Sequence, residues 1–403
     1  MRFQLYNNFW QQIHESAKES GFPLRVMFEL TYRCNFKCKH CYVPQSYRKK
    51  GELNTKEVFS LLDQLKDIGC FYLGFTGGEP FMRKDIMKIL WYAKKCGFEV
   101  IIYTNGSLIN ERTAQELVRL RPNKVDITIP AMSKKPFERI SGVRGAREKV
   151  FGAIDFLHKE RVDLGFKTCV LKENEAEISQ IEDFVHSLGA LHPNGAKHRL
   201  DDMLSPRLDG SKEPFKYRPQ VATGRRLPTI CPKAVNDNLL DCDTKIINYQ
   251  LSTINLFKCG VGVSQAAITP LGELKMCLMI DYPKYRVLLN ANRRKSNANL
   301  RECAILDNRT QIMNNREQRI ENKVNGISLR EAWERLKKLV RNIKPDESYQ
   351  CDKCDLEPYC KWCPAKAWLD NRTFTICDSE SKHRAEIRRS NTQHASRRTL
   401  KRV

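Results

Sequence analysis

Cys34, Cys38 and Cys41 stand at Cx3Cx2C spacing between Thr31 and Tyr42, close enough for three thiolates to converge in one loop. A cubane [4Fe–4S] cluster has four irons and ordinarily takes four thiolates, so three protein ligands leave one iron open to a small molecule. A zinc ion borrowing His40 or a remote residue is the alternative, although tetrahedral zinc sites usually show cysteine pairs repeated along the chain. Downstream, Gly77-Gly78-Glu79-Pro80 joins two glycines, which let backbone approach a ligand closely, to a carboxylate able to accept from an ammonium group. A Gly-Gly step at a strand end is also an ordinary turn.

A second set of cysteines lies far along the chain. Cys259, Gly272 and Cys277 are separated by twelve and four residues; Cys351-x2-Cys354-x5-Cys360-x2-Cys363 is followed, after thirteen intervening residues, by Cys377. Paired Cx2C steps alone suit a structural zinc ribbon as well as an iron–sulfur centre. Cys70, Cys96, Cys169 and Cys303 show no ligand spacing; the first three read as apolar filling at helix ends or in a strand.

The elements that must position these residues follow from periodicity. Apolar runs at Leu24–Leu30, Phe71–Thr76, Phe98–Tyr103, Lys124–Ile129 and Leu164–Leu171 read as buried strands. Between them, helical spacing covers Thr55–Ile68, Asp85–Cys96, Glu111–Leu120, Val150–Arg161 and Ile178–Leu188, with Gly69 and Gly97 as helix stops. Strand and helix alternating in this way form a parallel sheet, whose functional groups sit on loops at the strands' C-terminal ends. The cysteine loop and the Gly-Gly-Glu-Pro turn fall on the first two such loops. Past Ala190 the pattern weakens until a strand–turn–strand, Ala266–Thr269 and Leu274–Cys277, and a helix over Ser328–Asn342.

Composition bounds the classes. The 403 residues, 41% hydrophobic, can bury a sizeable core, and no apolar run approaches the roughly 20 residues needed to cross a bilayer. A soluble, cytoplasmic protein is expected. Sixteen cysteines in a reducing compartment point to metal or redox centres rather than cross-links. The net charge of +23 points to an anionic partner, with much of the excess in peripheral stretches such as the tail from Lys382.

Cys34, Cys38, Cys41 and the Gly77–Pro80 turn, with the order of strands and helices over about residues 24–200, resemble the radical S-adenosylmethionine (SAM) superfamily. The resemblance implies an α/β fold, a partial (β/α)6 TIM-type barrel, with SAM chelating the open iron. It implies reductive cleavage of SAM to a 5′-deoxyadenosyl radical that abstracts a substrate hydrogen, with an electron donor such as flavodoxin or ferredoxin. By the same resemblance His40 takes the position that packs near adenine, Gly77, Gly78 and Glu79 hold the methionine moiety, and Asn105 closes the third strand. Thr128 corresponds to the residue meeting the ribose and Arg139 to the one holding the SAM carboxylate; an ordinary strand threonine and helix-surface arginine are the alternatives.

The later cysteines resemble the SPASM extension of that superfamily, a small cysteine-rich domain carrying two auxiliary [4Fe–4S] clusters. The resemblance assigns Cys351, Cys354, Cys360 and Cys377 to one cluster and Cys259, Cys277 and Cys363 to the other, with Cys231 or Cys242 available as a fourth ligand. Cys360 and Cys363 are two residues apart where the usual spacing is three. The expected organisation is an extension (1–23), the barrel (24–200), an irregular linker (201–258), the SPASM-like domain (259–381, with an insertion at 287–323) and a basic tail (382–403).

Enzymes with this extension mostly modify peptides or proteins, so a ribosomally made peptide is the expected substrate, with the basic tail assisting its capture. Sulfatase-maturing members carry an aspartate where this chain has Leu278, which disfavours that role. A radical SAM enzyme acting on a small molecule is a further alternative. From a different class, zinc modules on a basic protein would suit nucleic acid, but no recognition motif for it is present.

Overall fold

The structure, a computed structural model, describes residues 12–13, 15–189, 197–219, 259–289, 326–345 and 347–399. Cys231, Cys242, Cys303, the 220–250 stretch and most of the 287–323 insertion lie outside the described residues, as do residues 1–11 of the N-terminal extension.

Six parallel strands form the scaffold: β1 (Arg25–Thr31), β2 (Tyr72–Gly77), β3 (Glu99–Thr104), β4 (Lys124–Thr128), β5 (Leu164–Cys169) and β6 (Lys197–Asp201). They lie side by side in chain order, each in register with the next, the stepwise winding of a barrel left open. Helices α1 (Thr55–Asp67), α2 (Ile86–Lys95), α3 (Glu111–Leu120), α4 (Lys134–Ser141), α5 (Ala146–Lys159) and α6 (Ile178–Gly189) connect them. Helix α1 shows why such segments fold where they do. Asn54 accepts from the Glu57 amide at 3.0 Å while the Glu57 carboxylate accepts from the Asn54 amide at 2.7 Å, a reciprocal cap, and Val58, Leu61, Leu62 and Leu65 bury one face. The core runs between these helices and the sheet, through Val26, Phe28 and Leu30 on β1 and Leu73 and Phe75 on β2.

Two elements of this half escape periodicity. Helix α4 buries only Phe137, Ile140 and Ser141 of its eight residues, and β6 reads Lys-His-Arg-Leu-Asp, a polar edge strand with no apolar alternation.

The cysteine-rich half does not begin a new sheet. Strand β7 (Gln265–Ile268) pairs parallel with β1, and β8 (Glu273–Lys275) and β9 (Lys284–Arg286) follow antiparallel, giving one nine-stranded sheet ordered β6-β5-β4-β3-β2-β1-β7-β8-β9. The boundary expected at residue 259 therefore runs through a continuous sheet. Helices α7 (Leu329–Asn342), α8 (Pro364–Asn371) and α9 (Ser379–Thr399) complete the described chain. The stretch expected to be a basic tail from Lys382 is part of α9, in which Arg384 and Ala385 are buried. Its generally polar composition hides this packed stripe. No helix among the described residues is long and apolar enough to cross a membrane.

Candidate functional site

The loops after β1, β2 and β3 are stitched together by backbone. Gly78 donates to the Thr31 carbonyl at 2.7 Å and Glu79 to the Arg33 carbonyl at 2.9 Å, so the Gly-Gly-Glu-Pro turn lies directly on the start of the cysteine loop. A Cβ at Gly77 would stand 2.2 Å from the Thr31 carbonyl oxygen, and one at Gly78 2.2 Å from that of Arg33. Gly77 also has φ of +126°, open only to glycine. Both glycines are thus demanded by the approach of two chain segments, whatever else binds there.

Glu79 extends the stitching to β3. Fully buried, it accepts from Thr104 Oγ1 at 2.7 Å, from the Asn105 amide at 2.7 Å and from the Phe81 amide at 3.1 Å. Burial pushes its carboxyl up to about 7, and the three donors pull it back. A carboxylate has about four acceptor positions, so three internal donors leave room for one more. Asn105 then reaches the cysteine loop: its Nδ2 donates to Asn35 Oδ1 at 2.9 Å and lies 3.9 Å from Cys34 Sγ. The far side of the loop rests on α4, where Lys37 donates to the Ser141 carbonyl at 2.8 Å.

Cys34, Cys38 and Cys41 lie in electrostatic reach of one another inside this frame. Burial pushes the Cys34 thiol up to about 11 and raises Cys38 and Cys41, while the Arg48 guanidinium pulls all three down. Arg48, which the sequence did not single out, also donates to the Cys34 carbonyl at 3.2 Å and the Phe36 carbonyl at 2.5 Å. Among the described residues no three Cys, His, Asp or Glu side chains are placed to hold a metal ion as they stand. The donor set itself, three shielded thiols beside a guanidinium, fits an iron–sulfur cluster.

The remaining residues expected near SAM are less tightly drawn in. His40 has a shielded Nδ1 without a partner, and burial, with Lys167 nearby, pushes its ring down to about 4. Thr128 is the partly buried last residue of β4. Arg139 is exposed on α4, whose inward side carries Phe137 and Ile140 and whose Ile140 and Ser141 carbonyls accept from Lys39 and Lys37 of the cysteine loop.

Below the loop is a buried network absent from the sequence reading. Lys275 Nζ lies 2.9 Å from Glu29 Oε2, and Glu29 accepts from Tyr42 at 2.9 Å and Tyr32 at 3.3 Å. Tyr42 follows Cys41 directly, the one local signal available; nothing in sequence spacing pairs Glu29 with Lys275.

The later cysteines fall into two neighbourhoods. Burial and then Cys363 push the Cys277 thiol up to about 12. Cys360 is pushed up to about 11 by burial, Cys351 adding to it; Cys377 rises to about 12 through burial, then Asp378, Cys360, Cys351 and Cys354. Cys259 is partly buried and packs against the same core as Cys277 and Cys363. Trp368 stacks between Tyr282 and Phe374, at 5.0 and 4.6 Å, as packing. Cys169, expected to be apolar filling, instead sits among Asp201, Lys167, Lys366 and Arg384.

Residues 28–185 match the family model described as Radical SAM superfamily. An Fe-coproporphyrin III synthase of Methanosarcina barkeri is 30% identical over 161 residues, 40% of either chain. A PqqA peptide cyclase of Gluconobacter oxydans is 27% identical over 169 residues, 42% of this chain and 47% of its own. The chain thus spans less than half the length of these relatives. Streptococcus suis SuiB, solved with S-adenosylmethionine, superposes with a TM-score of 0.54 at 16% identity, covering 90% of this chain and 75% of SuiB, a likeness of fold. With the cysteine loop, the Gly-Gly-Glu-Pro turn and the open six-stranded parallel barrel in one frame, the zinc-module reading loses its ground, and residues 28–185 are similar in sequence to the radical SAM superfamily.

Proposed function

We propose that this enzyme modifies a peptide or protein by hydrogen abstraction, with a [4Fe–4S] cluster on Cys34, Cys38 and Cys41 and SAM bound beside it. The observation carrying the reading is the backbone weld of the loops after β1 and β2 with Glu79 locked to β3, which holds the start of the cysteine loop against a turn suited to an amino-acid moiety. The bound pair supplies one-electron cleavage of SAM, the source of a hydrogen-abstracting radical. The chain's part is to hold and orient: Arg48 and Asn105 orient the loop around Cys34, and Glu79 keeps one acceptor position toward an ammonium. Electrons would come from a flavodoxin- or ferredoxin-type donor.

The two neighbourhoods Cys351/Cys354/Cys360/Cys377 and Cys277/Cys363 support a SPASM-like arrangement with two auxiliary clusters, Cys259 joining the second by its spacing. The peptide cyclase among the relatives supports a peptide substrate, while the coproporphyrin synthase favours a second reading, a small-molecule substrate. Replacing Cys34, Cys38 and Cys41 together with alanine should remove about four irons per chain and end SAM cleavage, leaving the remaining iron in place. Undiminished 5′-deoxyadenosine formation by that variant overturns the cluster assignment. Incubating the intact enzyme with candidate precursor peptides and with porphyrins, and following product mass, separates the two substrate classes.

A further inference from the structure

Along α9, Glu380, Arg384 and Arg388 recur every fourth residue and so share one face of the helix. The outer two rungs are filled from the segment that follows β6: Glu380 pairs with Arg218, and Arg388 Nη2 donates to Asp202 at 2.9 Å. The middle rung is not. Arg384 is 1% exposed, its Nε donates to Glu380 at 3.2 Å, and Nη1 and Nη2 have no partner. Glu380 offsets the charge at Nε, but a guanidinium has no neutral form to retreat to, and buried N–H groups left without acceptors are costly.

The surroundings belong to the mouth of the barrel. Cys169 and Asp201 face each other in register at the C-terminal ends of β5 and β6, and Lys167 lies 3.5 Å from Asp201. Lys366 of α8 is in electrostatic reach of both Cys169 and Asp201, as Arg384 is of Cys169. His40, between Cys38 and Cys41, is in reach of Lys167 and Asp201, which ties this corner to the cysteine loop.

We propose that Arg384 binds a carboxylate of the substrate, its two unpartnered nitrogens gripping both oxygens in fork geometry. The inference deepens the peptide reading and rests on it: the substrate segment presented at the barrel mouth carries an acidic side chain or a C-terminal carboxylate. Arg384 is then a binding residue, and the paired rungs Glu380–Arg218 and Arg388–Asp202 hold α9 in place above the strand ends.

The test uses the full, cluster-loaded chain and four synthetic peptides: acetyl-Ala-Ala-Asp-Ala-Ala-amide against its Asn counterpart, and acetyl-pentaalanine as free acid against its amide. Calorimetry should show one acid binding about 10- to 100-fold tighter than its neutral twin, which also tells side-chain from terminal carboxylate. Arg384→Gln should erase that ratio. Equal affinity of acids and amides for the unmodified enzyme overturns the carboxylate site and leaves the peptide reading standing. If no peptide binds, the peptide reading fails, and the unfolding midpoint of ligand-free Arg384→Met decides the site. A midpoint held or raised supports two buried donors awaiting an anion, whereas a fall of several degrees makes Arg384 a structural partner of Glu380 and overturns the proposal.

Discussion

The Lys275 ammonium lies 2.9 Å from the Glu29 carboxylate, and neither side chain has any solvent exposure. Glu29 belongs to β1 and holds Tyr42, the neighbour of Cys41; Lys275 belongs to β8 and donates to the Leu278 carbonyl, the neighbour of Cys277, at 3.3 Å. One buried ion pair therefore joins the cysteine loop of the barrel to a cysteine of the second set.

Breaking such a pair from one side leaves a charge buried without compensation. Lys275→Met should cost about 3–5 kcal/mol of stability, while adding Glu29→Gln, which removes the stranded charge, should recover a large part of it. Urea unfolding of the two single variants and the double variant measures the coupling. A Lys275→Met protein as stable as the parent would show that the pair does not form.

Glu79 gives a prediction in pH. Its folded-state value of about 7 lies above the 4.5 of an ordinary glutamate, so between these values the folded chain holds a proton that the unfolded chain has released. Stability from this group is complete below about 4.5 and is lost as pH rises through 7. At about 1.36 kcal/mol per unit, the window holds about 3 kcal/mol. In SAM-free protein, Glu79→Gln should flatten the stability–pH curve between pH 4.5 and 7. An unchanged slope would mean that Glu79 is ionised throughout.

Gly78→Ala tests the weld between the two loops. Its methyl would fall 2.2 Å from the Arg33 carbonyl oxygen, a backbone atom with little freedom to move, so the turn must part from the cysteine loop. Iron retained after reconstitution should drop by about four per chain, the content of one cubane cluster, without loss of the overall helix content. Full iron in this variant would show that the loop holds its thiols without the turn.

Much of the barrel was legible because its strands are buried on both faces and its helices carry apolar stripes; Glu111–Leu120 is found with the same bounds in sequence and structure. Helix α4 and β6 were not, since neither carries enough apolar residues to show a period. The chemistry-bearing loop was legible through cysteine spacing, a local signal. What surrounds it is not local: Arg48 folds back on the loop, and Lys275 arrives from β8, whose place beside β1 through β7 no periodicity could foretell.

The basic C-terminus divides into two parts that should behave differently. Up to Arg389 it is docked: Arg384 and Ala385 are buried, Arg388 holds Asp202, and Arg389 pairs with Asp355 at 2.5 Å. Deleting from Lys382 removes all of these and should destabilise the chain, so that deletion would not isolate a role in peptide capture. Deleting only 391–403 spares them while removing Arg397, Arg398, Lys401 and Arg402. Exposed charges act over a screening length of ~30 Å at 0.01 M salt but only ~8 Å at physiological salt. If these charges help to capture an acidic peptide, the 391–403 deletion should weaken peptide binding at low salt, match the full chain at high salt, and leave SAM cleavage without peptide unchanged. Titrating a labelled acidic peptide against both proteins across that salt range is the measurement, and identical low-salt affinities would leave the last residues no part in capture.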